Sequence, residues 1–285
     1  APGLEDEPQH ELMGKITGKM LDIMQVPWEV FPADNQQITL SLRRACDYMQ
    51  HEQRPYAFIM EKGTVTPCSL KSRTTNDVKS RSTLRNGFYN TQGRGRPTRY
   101  AVLQRIINLT PGSGTVLIAT TGYTGRELFA IADRPNHIYM VGSMGCASSF
   151  GLGLALARSD LNVVIIDGDG AALMRMGNLA TIGSYAGTNL THILLDNEVH
   201  DSTGSQATVS ANVAFADIAA ACGYAAAFEG DDINLIDELF VVKTTGGPRF
   251  GHLKIRAGTI EKLPRPDITP AAVVRRAMQH IGSHF

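Results

Sequence analysis

The sequence predicts an α/β fold built on a doubly wound parallel sheet, and three observations predict it. From Thr98 onward, apolar runs of strand length alternate with helical patterns, the order that covers a parallel sheet on both faces. The two central runs, Asn162–Ile166 and Thr191–Leu195, are apolar nearly throughout, as strands buried on both faces are. The first ends in Asp167-Gly168-Asp169-Gly170 and the second in Asp196-Asn197-Glu198, residue types that favour a turn.

Before this regular part, Glu11–Gln25 places Leu12, Met13, Ile16, Met20, Ile23 and Met24 on an approximate helical stripe. Val26–Phe31 reads as a short strand, Ile38–Glu52 as a second amphipathic helix and Tyr56–Met60 as a second strand. So small a sheet would leave much apolar surface uncovered. Residues 1–65 are therefore expected to be the back half of an α/β domain whose front half is absent from the chain. Thr66–Tyr100 carries eight Lys/Arg against the single acid Asp77. With slight aromatic interleaving it reads as a solvated linker (66–97) rather than a nucleic-acid surface, although Arg73, Arg81 or Arg85 could fold back toward an anion.

Residues 98–285 are expected to form a complete second domain. Arg99–Ile107 is a helix leading to the strand Thr115–Ala119 and the turn Thr120–Gly125, and Arg126–Ala132 is the next helix. The strand His137–Val141 ends in Gly142-Ser143-Met144-Gly145, before the Gly/Ala-rich helix Cys146–Arg158. After Asn162–Ile166 a helix runs from Ala171 to about Ala186. Helices at Phe215–Cys222, Ile233–Val241 and Ala271–Ile281, with strands at Tyr224–Phe228 and Phe250–Arg256, complete the pattern.

The 285 residues hold 27 basic and 27 acidic side chains, so no polyelectrolyte partner is implied. Cys46, Cys68, Cys146 and Cys222 form no Cys-x-x-Cys pair, which argues against a zinc site or a disulfide framework. No apolar stretch reaches membrane-spanning length and the polar start does not read as a signal peptide. A reduced, cytoplasmic setting is expected.

In a parallel sheet, chemistry collects beyond the carboxyl ends of the strands. Asp169 and Asn197 sit at two such ends, offering a carboxylate and an amide oxygen, and magnesium accepts both. Gly170 and Ala171 follow at a helix N-terminus, where free N–H groups favour phosphate. These features suggest a magnesium diphosphate site. Gly122-Tyr123-Thr124-Gly125 lacks the Gly-x-Gly-x-x-Gly of dinucleotide-binding oxidoreductases.

Gly168-Asp169-Gly170, followed about thirty residues later by Asn197, resembles the binding motif of thiamine-diphosphate enzymes. The resemblance implies the thiamine-diphosphate-binding fold, with a complete C-terminal diphosphate-binding domain and a partial N-terminal pyrimidine-binding domain. It implies that Asp169, the Asn197 side chain and the Val199 carbonyl hold Mg2+. Thr121, Gly122, Tyr123, Thr124, Gly168, Gly170 and Ala171 would then surround the diphosphate. Gly142 would accept from the aminopyrimidine amine, and Met144 would prop the cofactor in its bent form.

Two further stretches narrow the resemblance. Asp6-Glu7-Pro8-Gln9-His10 and Arg54–Phe58 with Lys62-Gly63-Thr64 are similar to phosphonopyruvate decarboxylases and the related sulfopyruvate decarboxylases, as is the Asn197–Gln206 loop. That subfamily implies decarboxylation of a small anionic 2-oxo acid, 3-phosphonopyruvate before sulfopyruvate. His10 and His200 are then expected to move protons, and Gln9, Asp201, Ser202 and Thr203 to meet the substrate. The family's activating glutamate has no counterpart here. A homo-oligomer with active sites shared between subunits is expected, or a separate N-terminal chain that supplies this glutamate, or a chain that binds cofactor and is inactive alone.

Overall fold

The computed structural model describes residues 10–69, 83–89 and 95–283. Its contacts group the chain into two units, 1–76 and 77–285.

In the first unit, α1 (His10–Ile23) leads to β1 (Trp28–Val30), and α2 (Asn35–Glu52) leads to β2 (Ala57–Ile59). The strands pair in parallel, Trp28 opposite Ala57. Helix α2 starts three residues before the expected Ile38 because the Asp34 side chain accepts from the Gln36 N–H, capping an otherwise orphaned donor. Ile23 stays 83% exposed, in keeping with a sheet too small to cover its helices.

The second unit carries β3 (Leu84–Phe88), α3 (Arg99–Leu109), β4 (Thr115–Ala119), α4 (Tyr123–Ile131), β5 (His137–Tyr139) and α5 (Ala147–Ala157). Then come β6 (Asn162–Gly168), α6 (Asp169–Met174), α7 (Asn178–Tyr185), β7 (Leu190–Asp196) and the short strands β8 (Val199–His200) and β9 (Gln206–Ala207). It ends with α8 (Phe215–Ala221), β10 (Ala226–Gly230), α9 (Asn234–Val241), β11 (Arg249–Lys254) and α10 (Pro270–His280). Seven strands form one sheet in the order β3-β10-β11-β7-β6-β4-β5, and every neighbouring pair is parallel. Strands β4 and β7 are buried along their whole length, which is why their sequences are apolar rather than alternating.

Three local readings change. Leu84–Phe88, within the stretch read as a linker, is an edge strand paired with β10. An edge strand is held on one side only, so its mostly exposed Leu-Arg-Asn-Gly-Phe needs little apolar patterning. The helix expected from Ala171 to Ala186 is two helices, parted at Arg175, whose φ of −133° and ψ of 37° are not helical. Helix α4 starts at Tyr123, so Tyr123–Gly125 is its first turn rather than a loop.

Small residues set the helix spacing. A Cβ on Gly151 of α5 would lie 2.5 Å from Ile165 Cγ1 of β6, so a larger residue would push the helix off the sheet.

His137 opens β5 with 0% exposure. Its Nδ1 lies 3.0 Å from the Ala132 carbonyl, an acceptor, so Nδ1 carries the proton. Nε2 is buried with no partner among the described residues. Burial above all lowers its pKa from 6.5 to about 4. Between those values the unfolded chain binds a proton that the folded chain refuses, so stability is full above pH 6.5 and falls toward pH 4. The expected loss is up to about 3 kcal/mol. Denaturant unfolding from pH 7 to pH 4 should show that loss in the wild type beyond any in His137→Gln; identical pH profiles would contradict it.

Candidate active site

Register places the site. Gly168 of β6 lies opposite Leu195 of β7, so Asp169 and Asn197 emerge side by side just beyond the carboxyl ends of neighbouring strands. With Gly122, Met144, Val199 and His200 they line one cleft. The loops after β4, β5, β6 and β7 thus meet as the sequence suggests.

Asp169 is 3% exposed and its Oδ2 accepts from Thr208 Oγ1 at 2.5 Å. Burial raises its pKa, the Thr208 hydroxyl opposes the rise, and the nearby Asp196 charge adds to it. Asp196 is itself 0% exposed, with Ser210 Oγ donating at 2.8 Å and His252 Nε2 at 2.9 Å. Burial pushes its pKa up, but the His252 and Ser210 hydrogen bonds outweigh that and leave it lowered.

Asn197 is held by its amide. Its Nδ2 donates to Asp201 Oδ2 at 2.5 Å, an oxygen that also accepts from Arg99 Nη2 at 2.9 Å and from the Gly258 N–H at 3.0 Å. Arg99 Nη1 reaches Glu127 Oε1 at 3.1 Å. Glu198, between Asn197 and Val199, has a φ of +65° and is gripped by both Arg96 Nη groups at 3.0 and 3.2 Å. The turn that carries Asn197 and Glu198 is therefore clamped by Arg96, just before α3, and by Arg99, its first residue.

His200 and Met144 close over the turn. A Cβ on Gly170 would lie 2.4 Å from His200 Cε1 and 3.0 Å from Met144 Cε, so only glycine leaves room for both. Gly122, at φ +93°, has Ser202 Oγ 3.4 Å from where a Cβ would stand. No side chain caps the first turn of α4, leaving its N–H groups for another acceptor. Gly142 bends the loop after β5 with φ +68°.

Other expected residues are placed differently. The Asp201 side chain is 9% exposed; its Oδ2 takes three donors, and the residue also lines the cleft. Thr203 is exposed, within 3.3 Å of Gln206 Oε1. His10 opens α1 in the other unit and its side chain lies outside the described residues, as do Gln9, Arg73 and Arg81. Arg85 pairs with Asp217 at the surface.

Sequence reasoning missed Arg96, Arg99, Glu127 and Thr208. Arg99 stands 102 residues before Asp201, and no spacing signals such a pairing.

The C-terminal TPP binding domain of thiamine pyrophosphate enzymes matches residues 120–248, a span that holds every expected cofactor and metal residue. A phosphonopyruvate decarboxylase of Streptomyces viridochromogenes is 42% identical over 279 residues, covering 96% of this chain and 68% of that protein. The chain belongs to the phosphonopyruvate decarboxylase family of thiamine pyrophosphate enzymes. The Streptomyces hygroscopicus member is 39% identical over 96% of this chain and 68% of its own length. A sulfopyruvate decarboxylase subunit beta of Methanothermobacter thermautotrophicus is 36% identical over 58% of this chain and 86% of its own. The chain thus spans about two thirds of the two Streptomyces family members.

The residues fit the family's cofactor. The N–H groups of the first turn of α4 carry no side-chain cap and, with Gly168, Gly170 and Ala171, face one cleft. Among the described residues no cluster of three or more His, Cys, Asp or Glu could bind a metal unaided. One carboxylate, one amide and a carbonyl suit magnesium, which takes few protein ligands and completes its shell with phosphate oxygens and water.

Proposed function

We propose that the chain decarboxylates 3-phosphonopyruvate to phosphonoacetaldehyde and carbon dioxide, using thiamine diphosphate and Mg2+. The observation that carries this reading is the 42% identity over 96% of the chain to a phosphonopyruvate decarboxylase. The strand-tip pair Asp169 and Asn197 supports it. When bound, thiamine diphosphate supplies the electron sink for the bond lost to carbon dioxide. Asp169, the Asn197 amide oxygen and the Val199 carbonyl hold the metal. Backbone groups of Gly122, Tyr123, Gly168, Gly170 and Ala171, with the Thr121 and Thr124 hydroxyls, receive the diphosphate. The Gly142 carbonyl accepts from the aminopyrimidine.

The aldehyde carbon takes up one proton for each carboxylate lost, and delivery of it is assigned to His200, which packs over Gly170. His10 is assigned the same task, and Gln9, Ser202 and Thr203 the substrate. Met144, beside His200, holds the cofactor's bend. Met144→Ala is expected to lower kcat about 10- to 100-fold while cofactor affinity stays close to that of the wild type; steady-state rates and calorimetry check this, and an unchanged kcat would remove the role.

Initial rates of carbon dioxide release, with saturating cofactor and Mg2+, test the substrate. Faster turnover of phosphonopyruvate than of sulfopyruvate is expected. The reverse would favour the second reading, sulfopyruvate decarboxylation, which the Methanothermobacter relative supports. Release from neither substrate, in an assembly that includes the chain carrying the activating glutamate, would sink both.

That relative is named as one subunit of its enzyme, which supports an active site completed by a neighbouring chain carrying the activating glutamate. Full activity in a species with the mass of one chain would contradict this. No helix among the described residues is long and apolar enough to cross a membrane, and all four cysteines are free, which fits a reduced cytoplasmic setting.

A further inference from the structure

We infer that Asp201 is a positioning residue that turns the Asn197 amide oxygen toward the metal, and that Arg99, anchored on Glu127, holds Asp201 for that task. The inference rests on Asn197 being a magnesium ligand. A side-chain amide has one oxygen that can serve a cation and one NH2 that cannot, so a half-turn about its last bond would put the wrong atom on the ion. An ionised carboxylate only accepts. Asp201 Oδ2, 2.5 Å from Asn197 Nδ2, therefore admits the NH2 and rejects the reversed amide.

That oxygen is fixed from two further directions, by Arg99 Nη2 at 2.9 Å and the Gly258 N–H at 3.0 Å. Arg99 is 5% exposed and Glu127 0% exposed, so neither drifts into solvent. Glu127 Oε1 is shared between Arg99 Nη1 and Thr259 Oγ1, the latter at 2.6 Å. Helix α3 and the segment after β11 thus both reach Asp201 Oδ2, and Glu127 of α4 binds each of them in turn. Two acids about one guanidinium also leave a net negative charge beside the site, which suits a divalent cation. An ion pair that merely tied down the loop would need Arg99 and Asp201 alone. The bond from Asp201 to the ligand's own amide is the part that acts on the metal.

The test uses the full chain and reads the Mg2+ concentration that half-saturates thiamine diphosphate binding, by calorimetry. Asp201→Asn should raise it about 10- to 100-fold, because an amide at 201 can present its own NH2 to Asn197. The exchange Asn197→Asp with Asp201→Asn should restore most of the affinity. A carboxylate at 197 offers oxygen on both sides, and the amide at 201 can donate to it. A role limited to the buried Arg99 ion pair would gain nothing from the exchange, which lacks the same charge at 201. An unchanged Mg2+ requirement in Asp201→Asn, or an exchange variant no better than Asp201→Asn, would overturn the inference. If Asp201→Asn does not fold, the exchange variant is read alone: near wild-type affinity supports the inference and a weakened one overturns it. Failure of the wild type to take up cofactor with Mg2+ would instead overturn the site assignment itself.

Discussion

Asp169→Ala is expected to abolish magnesium-dependent uptake of thiamine diphosphate while the chain stays folded. Asp169 is the charged member of the proposed metal set, and neither the Asn197 amide nor a carbonyl can replace a full negative charge. The fold should tolerate the loss. Removing the acid costs the Thr208 hydroxyl one acceptor but leaves it Ser210 Oγ at 3.0 Å, a loss of about 1 kcal/mol. It also removes a buried carboxylate that burial and the Asp196 charge both disfavour, and the two effects oppose each other. The measurement is the melting temperature with and without cofactor and Mg2+. In the wild type, cofactor at a hundred times its Kd should add about 2.7 kcal/mol of stability and raise Tm; in the variant the rise should vanish. An equal rise in both would remove Asp169 from the site.

Gly183→Ala is expected to give a large loss of stability. Gly183 lies in α7, and a Cβ there would stand 1.9 Å from the Cys222 carbonyl oxygen and 2.7 Å from its carbon. Both are backbone atoms, which no rotamer change can move aside, so α7 and the end of α8 would have to separate. Alanine gains about 1 kcal/mol over glycine in a helix interior, but overpacking of this kind costs about 3 kcal/mol or more, so destabilisation wins. Gly153 of α5 is the control, because nothing lies within 4 Å of a Cβ built there and Gly153→Ala should stabilise by about 1 kcal/mol. Urea midpoints of the two variants should move in opposite directions. A Gly183→Ala midpoint at or above the wild-type value would contradict the packing described.

Much of the sheet was legible because its central strands are buried on both faces. Val163–Ile166 and Ile193–Leu195 could not be mistaken for alternating surface strands, and each ends in an oxygen-bearing residue. Asp169 and Asn197 could therefore be paired before any coordinates existed. The edge strand Leu84–Phe88 could not be read, since one backbone partner demands little of its side chains. The break at Arg175 was hidden because apolar residues continue on both sides of it. The bracing of the site was the least legible part. Arg99 meets Asp201, and Glu127 meets Thr259, across separations set by the topology of the sheet, and no local pattern marks them. Asp201 itself was legible as a site residue but not as a braced one, because two of its three donors, Arg99 and the Gly258 N–H, come from distant segments. His10 and Gln9 rest on resemblance alone, their side chains lying outside the described residues.

The central claim is that a divalent ion, gripped between the tips of β6 and β7, is what lets this chain hold a pyrophosphate. Calorimetric titration of thiamine diphosphate into the wild-type chain, once with Mg2+ and once with a chelator, tests it most directly. Saturable heat only in the presence of Mg2+ is the predicted result. Saturable binding of equal strength in both, or none in either, would contradict it.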